Sequence, residues 1–542
     1  MPTIRGADLV ARALVSAGVK HLFSLSGNHI MPLYDAALDA GLSIVHTRHE
    51  AAAVHMADAW GRLTGQPGVA LFTGGPGHAN AVGALYTALA SESPVVMLSG
   101  HAPLNELGKG SFQEMRQAEL ALPVCKQSWT TQQAEALGDD IARAFRVATV
   151  ARPGPVHMSL PFDLLEAAVD TAPPPADASR APASPLAESA ADTVLELLGK
   201  AQRPLVITGS VLSRDRAGDL PQRLAEAAGA PVVCMESPRG LNDPALGAFS
   251  AVVAQADFIV LLGKQPDFTL RFGRPPAIAA ACRIALIDPQ PVLLKRAAAV
   301  LGRDRIALSA AADSVPAARL LIERAAGRRE RESAWAGEVT AALRARPAEW
   351  ARHAPRLEGP VHPLDIGRAM QAAIDSAREA VFVSDGGEFG QWAQAAVTAP
   401  TRIINGVGGS IGSAVPFALA AKMARPDATV IAATGDGACG YHLLELDTAV
   451  RTGLAPVIVV GNDACWNAEH QIQLRTYGKE RALGCELLPT RYDLAAAALG
   501  AHGEQVTRPG ELDAALSRAV ASGKPALVNV MIERLPAPVI KS

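Results

Sequence analysis

The chain of 542 residues is too long for one hydrophobic core, and about two to four domains are expected. Lys and Arg number 50 against 53 Asp and Glu, a net charge of −3, which argues against a nucleic-acid partner. Hydrophobic residues make up 49% and no apolar run reaches the about 18 residues of a membrane span, so a globular, cytoplasmic protein with no membrane partner is expected.

The N-terminus, MPTIRGADLVARALVSAGVKHLFSLSG, reads as an amphipathic helix followed by a strand, not as a signal peptide. LSIVHT, GVALFT and PVVMLSG follow as further strands. DTAPPPADASRAPASPLAES (170–189) sustains neither helix nor strand and reads as a linker. The next segment carries the strands PLVITG, PVVCM, FIVLLG and RIALID, up to a softer boundary in RARPAEWARHAPRLEGPVHP. AVFVSDG, TVIAATGDG, PVIVVGND and PALVNVMI complete the series. Short apolar runs alternating with amphipathic helical stretches mark parallel sheets covered on both faces. The expectation is three consecutive doubly wound α/β domains, 1–169, 190–343 and 363–542, joined by linkers at 170–189 and 344–362. The first and third segments share length and rhythm. The six cysteines include no C-x-x-C pair and indicate neither a disulfide framework nor a zinc site.

In the third segment, Gly435, Gly437 and Gly440 spell G-x-G-x-x-G between the strand ATVIAAT and a helix read from YHLLELDTAVRTG. A phosphate there would meet the unpaired N–H groups of a helix N-terminus. A dinucleotide would satisfy the glycines, but Asp436 beside a bare pyrophosphate would be repelled. A Mg²⁺ ion would make Asp436 a ligand, and Asp463, which is 463 − 436 = 27 residues later, ends the adjacent strand and reaches the same ion. A structural turn with capping aspartates is the plainer alternative.

Glu50 ends the strand LSIVHT and opens an Ala-rich helix. Facing an apolar pocket, its carboxylate would have a raised pKa and could protonate a heterocycle nitrogen; equally, it could only complement a helix dipole. FTGGPGHAN (72–80) supplies a glycine loop after a strand, suited to close contact with a planar ring.

Together, RHE at 48–50, GGPG-x-x-N at 74–80 and G-D-G with its 27-residue spacing resemble the thiamine diphosphate enzymes of the acetolactate synthase, benzaldehyde lyase, pyruvate decarboxylase and 2-hydroxyacyl-CoA lyase group. The resemblance covers essentially the whole chain, as pyrimidine-binding, middle and diphosphate-binding domains. It implies Mg²⁺ held by Asp436, Asp463 and the Cys465 carbonyl, although the family usually has Asn where Asp463 stands. It further implies cofactor contacts from Thr73, Gly387, Glu388, Gly435, Gly437, Ala438 and Trp466, with Ile411 wedging the cofactor into a bent shape and the Gly409 carbonyl accepting from its amino group. Glu50 would support deprotonation of the thiazolium C2, and the resulting carbanion would attack a substrate carbonyl. A homodimer is implied as the minimal active unit, with a homotetramer expected.

For the reaction, His29 beside Asn28 matches an active-site histidine of benzaldehyde lyase, the closest member by these residues, and Gln113 matches a glutamine shared with acetolactate synthase. Glu469 falls where pyruvate decarboxylase and 2-hydroxyacyl-CoA lyase carry a catalytic glutamate, while Ala468 and Gly390 imply a roomy substrate pocket. The expectation is a carbon–carbon lyase/carboligase acting on 2-hydroxy ketones, aldehydes or 2-oxo acids. Alternatives are acetolactate synthase-type condensation, 2-oxo acid or 2-hydroxyacyl-CoA cleavage, an NAD-dependent oxidoreductase, and a cofactor-binding relic without catalysis. The compact middle domain is short for FAD, which is not expected.

Overall fold

The computed structural model describes residues 3–326 and 334–540, so the expected outer domain limits, residues 1 and 542, lie outside it. Each expected domain is built on one parallel sheet. The first runs Ser43–His46, His21–Ser24, Gly68–Phe72, Val95–His101, Pro155–Pro161, Gln127–Thr130 from edge to edge. Counted along the chain, that order is 2-1-3-4-6-5. The third sheet repeats it: Thr401–Ile404, Ala380–Ser384, Thr429–Gly435, Val457–Asn462, Ala526–Met531, His502–Val506. The middle sheet has five strands in order 2-1-3-4-5, from Val232–Cys234 through Pro204–Thr208, Phe258–Leu262 and Arg283–Ile287 to Ile306–Ala310. The shared rhythm of the outer segments is thus a shared topology.

The central strands are buried at nearly every residue, which is why they read as unbroken apolar runs. The strands missing from the sequence reading are mostly edges. QSWT and HGEQV cover one sheet flank each and keep polar residues toward solvent. The motif helix also differs from expectation: it begins at Asp436, with no intervening loop, and breaks after His442 before resuming over Glu445–Thr452. Neither linker is featureless. Ala176–Ser179 forms a short turn of helix, and Ala348–Arg352 is helical, with Trp350 stacked on Trp392 at 5.3 Å.

The first and third domains share one core. Helix Glu50–Thr64 packs on helix Ala414–Ala424, and alanines on both let the backbones approach. A buried Arg62–Asp58 pair at 2.6 Å tightens this seam, with Arg62 also donating to the Ile404 carbonyl at 2.6 Å. All six cysteines are unpaired. No helix among the described residues is long and apolar enough to cross a membrane.

Candidate active site

In sheets of this order the strand sequence reverses between the first and third strands, and ligands collect at the carboxyl ends there. In the third domain that point holds Asp385–Gly387 and Gly435–Gly437. Gly387, Glu388, Ile411, Gly435, Asp436 and Gly437 line one cavity with Ala438, Asp463, Cys465, Trp466, Ala468 and Glu469. Two glycines are fixed by close packing: a Cβ on Gly437 would fall 2.5 Å from the Trp466 ring, and one on Gly387 2.9 Å from Ala468. Gly409, at φ +67°, lies outside the cavity, where a side chain would meet Pro238 of the middle domain.

Asp436 is buried and its Oδ2 has no hydrogen-bond partner. Burial raises its pKa to about 6; burial and the neighbouring Asp436 raise Asp463 to about 7. A buried carboxylate with an orphaned oxygen, beside a half-buried one whose pKa it raises, fits a divalent cation. Ala464, at φ +52°, turns the chain so that Asp463 and Cys465 face the same space. In the Asn462-Asp463 pair only Asp463 serves the site. The Asn462 amide donates to Thr490 O at 3.0 Å and Asn529 Oδ1 at 3.1 Å.

The first domain brings its own residues to the equivalent edge. Glu50 is 8% exposed at the start of its helix, and its carboxylate accepts from Asn80 Nδ2 at 3.2 Å, so it is held by the last residue of GGPG-x-x-N rather than isolated among apolar groups. His29 is buried, with Nδ1 3.2 Å from Thr73 Oγ1, while Asn28 is exposed beside it. Burial holds the His29 imidazole below its usual pKa, favouring the neutral ring. Gln113 packs on Gly75, sits at φ +56°, and has a buried Oε1 without a partner. A strained backbone and an unsatisfied acceptor at one residue mark a position kept for a ligand.

Gly390 does not open a substrate pocket. A Cβ there would fall 2.7 Å from the Asp385 carbonyl, so glycine is needed for the helix Glu388–Ala396 to close on its strand.

Two positioning residues escaped the sequence reading. Asp385 accepts from Gly412 N at 2.7 Å and Ala414 N at 3.1 Å, fixing the loop that carries Ile411. Glu445 accepts from Arg48 N at 3.0 Å and His49 N at 3.1 Å, fixing the turn before Glu50. Where the middle domain meets the first, a cavity of about 250 Å³ is lined by Glu92, Lys126, Arg152, Lys264 and Asp267. That cavity is small for a flavin dinucleotide, and its acid Asp267 is held by Lys264 at 3.2 Å.

Two domains of one topology, one offering paired carboxylates and the other a buried Glu50 held by Asn80, define an enzyme built around a phosphorylated cofactor. Residues 4–120 match the N-terminal TPP binding domain of thiamine pyrophosphate enzymes, 191–310 the central domain and 385–530 the C-terminal TPP binding domain. The chain belongs to the thiamine pyrophosphate enzyme family. It is 34% identical to a probable acetolactate synthase of Mycobacterium bovis, over 98% of this chain and 96% of that protein. It is 30% identical to 2-hydroxyacyl-CoA lyase 2 of Homo sapiens, over 98% of this chain and 90% of that protein.

Proposed function

We propose that the protein is a Mg²⁺- and thiamine diphosphate-dependent carbon–carbon lyase/carboligase acting on 2-hydroxy ketones, aldehydes or 2-oxo acids. The observation that carries this reading is the cluster of His29, Thr73 and Gln113 at the first domain's edge, with Gln113 strained and unsatisfied. When bound, the cofactor supplies a nucleophilic carbon and an electron sink for the bond next to a carbonyl. Asp436, Asp463 and the Cys465 carbonyl hold the metal and, through it, the diphosphate. Glu50 exchanges a proton with the aminopyrimidine, and Asn80 keeps its carboxylate in place. Neutral His29 donates a hydrogen bond to a substrate oxygen, the free Gln113 Oε1 accepts from a substrate hydroxyl, and Glu469 at the cavity rim moves the proton that accompanies bond formation or cleavage.

The cavity around Asp436 is lined by third-domain residues, whereas Glu50 and Asn80 belong to the first. This division supports a site completed by a second copy, hence a homodimer as the minimal unit and a tetramer as the expected assembly.

The test is a turnover panel with added thiamine diphosphate and Mg²⁺ across pyruvate, benzoylformate, benzoin and a 2-hydroxyacyl-CoA. Cleavage or ligation of the hydroxy ketones, lost in His29→Ala, is the expected result. Acetolactate formation from pyruvate alone would favour the second reading, for which the 34% relative speaks. Mass and absorbance analysis of released cofactor separates thiamine diphosphate from NAD and FAD.

A further inference from the structure

Gln117 opens the short helix Gln117–Ala121 and is 1% exposed. A glutamine amide carries two donors and an acceptor, and burial leaves all of them in need of partners. Three separate segments supply them. Oε1 accepts from Gly75 N at 2.8 Å, in the glycine turn. Nε2 donates to Gly100 O at 3.1 Å, near the end of strand Val95–His101, and to Ser159 Oγ at 3.0 Å, on strand Pro155–Pro161. Only the amide matches this set, because an ionised glutamate would turn one oxygen toward the Gly100 carbonyl.

Gly75 and Gly100 are the surfaces on which the two substrate-facing side chains rest. A Cβ on Gly100 would fall 2.6 Å from His29 Cβ, and one on Gly75 2.8 Å from Gln113 Cβ. A Cβ on Gly74 would fall 2.7 Å from Gly100 O and 2.9 Å from Gln117 Oε1, so turn, strand end and amide meet without spare room. The stretch from Gln113 to Gln117 is closed on itself: Gln117 N donates to Met115 O at 2.8 Å, and His101 Nε2 lies 3.0 Å from the same carbonyl. Gln113, at φ +56°, keeps that conformation only while its surroundings enforce it.

We infer that Gln117 is a positioning residue. It fastens the glycine turn to the strand end and so sets the placement of Gln113 relative to His29, acting through them and not on the substrate. The inference deepens the proposed function and rests on it, since these two side chains are the ones assigned there to the substrate oxygens. A displacement of about 1 Å at such groups costs up to about 100-fold in rate.

Gln117→Leu, of similar size and without the amide's hydrogen bonds, tests the inference. In its crystal structure Gln113 should leave positive φ and shift against His29. On the panel substrate that wild type turns over, kcat should fall about 10- to 100-fold, while calorimetry shows an unchanged affinity for thiamine diphosphate with Mg²⁺. The same substitution should cost much less in a His29→Ala background, whereas a merely structural loss would add in full. Gln117→Glu is the second variant. Its carboxyl serves both Gly75 N and Gly100 O only when protonated, so its activity relative to wild type should rise as pH falls. Taking the ratio cancels the neighbouring His78, His101 and His157, which titrate in both proteins. Superposable His29 and Gln113 in Gln117→Leu, full additivity with His29→Ala, or a pH-independent ratio for Gln117→Glu overturns the inference. A wild type inert on the whole panel overturns the proposed reaction instead, and the crystal structure of Gln117→Leu then decides the role of Gln117 by itself.

Discussion

Asp436 and Asp463 repel one another in a buried setting, and a divalent cation between them converts that repulsion into attraction. Asp436→Asn is therefore expected to weaken Mg²⁺-dependent binding of thiamine diphosphate about 10-fold or more in calorimetry, while the metal-free variant melts no lower than wild type. An unchanged affinity would remove Asp436 from the ligand set. Glu50→Gln should lower turnover by about 100-fold or more with the fold intact. Buried histidines carry the pH dependence of stability, His55, His157 and His78 all being held below the usual imidazole pKa by burial. His78 is fully buried beneath the glycine turn, 2.9 Å from Ser99, and burial lowers its pKa from 6.5 to about 4. The unfolded chain takes up a proton there first, so the stability this site contributes is complete above pH 6.5 and is lost as pH falls toward 4. That loss is about 3 kcal/mol. His78→Gln should make the melting-versus-pH curve less steep over this window, the remainder coming from His55 and His157; an identical slope would contradict the assignment.

At the scale of elements, what the sequence reveals depends on how local the determinant is. Asp436 and Asp463 were legible because a βαβ unit places successive strand ends side by side, so spacing alone brings them together. Asp385 and Glu445 were not, because their partners lie 27 and 397 residues away, across loops whose course no local pattern encodes. Edge strands such as QSWT and HGEQV were missed because one flank faces solvent and the apolar run disappears. Gly390 was misread for a related reason: a glycine records room for a pocket or room for a neighbouring backbone, and only packing tells which. Gly390→Ala should thus lower the melting temperature, by about 1–3 kcal/mol of stability, without changing the ranking of substrates. Glu445→Ala leaves two backbone N–H groups in a part-buried turn without their acceptor and should cost about 2 kcal/mol or more, with a fall in kcat from the displaced Glu50.

At the scale of the whole molecule, the first and third domains repeat one topology and meet across a shared alanine-rich core, yet each presents its own half of the site at its own sheet edge. The three-domain architecture was readable from alternation of strands and helices, and the assignment of chemistry to two of the domains from three short motifs. The central claim is that one working centre joins Glu50 of one subunit to Asp436 of another. Glu50→Gln and Asp436→Asn subunits, each inactive alone, provide the direct measurement when mixed under conditions that exchange subunits. Random pairing gives mixed dimers with one intact centre each, so turnover should recover to roughly a quarter of wild type. A mixture with proven exchange that stays inactive would place both residues in the same subunit's centre and contradict the account.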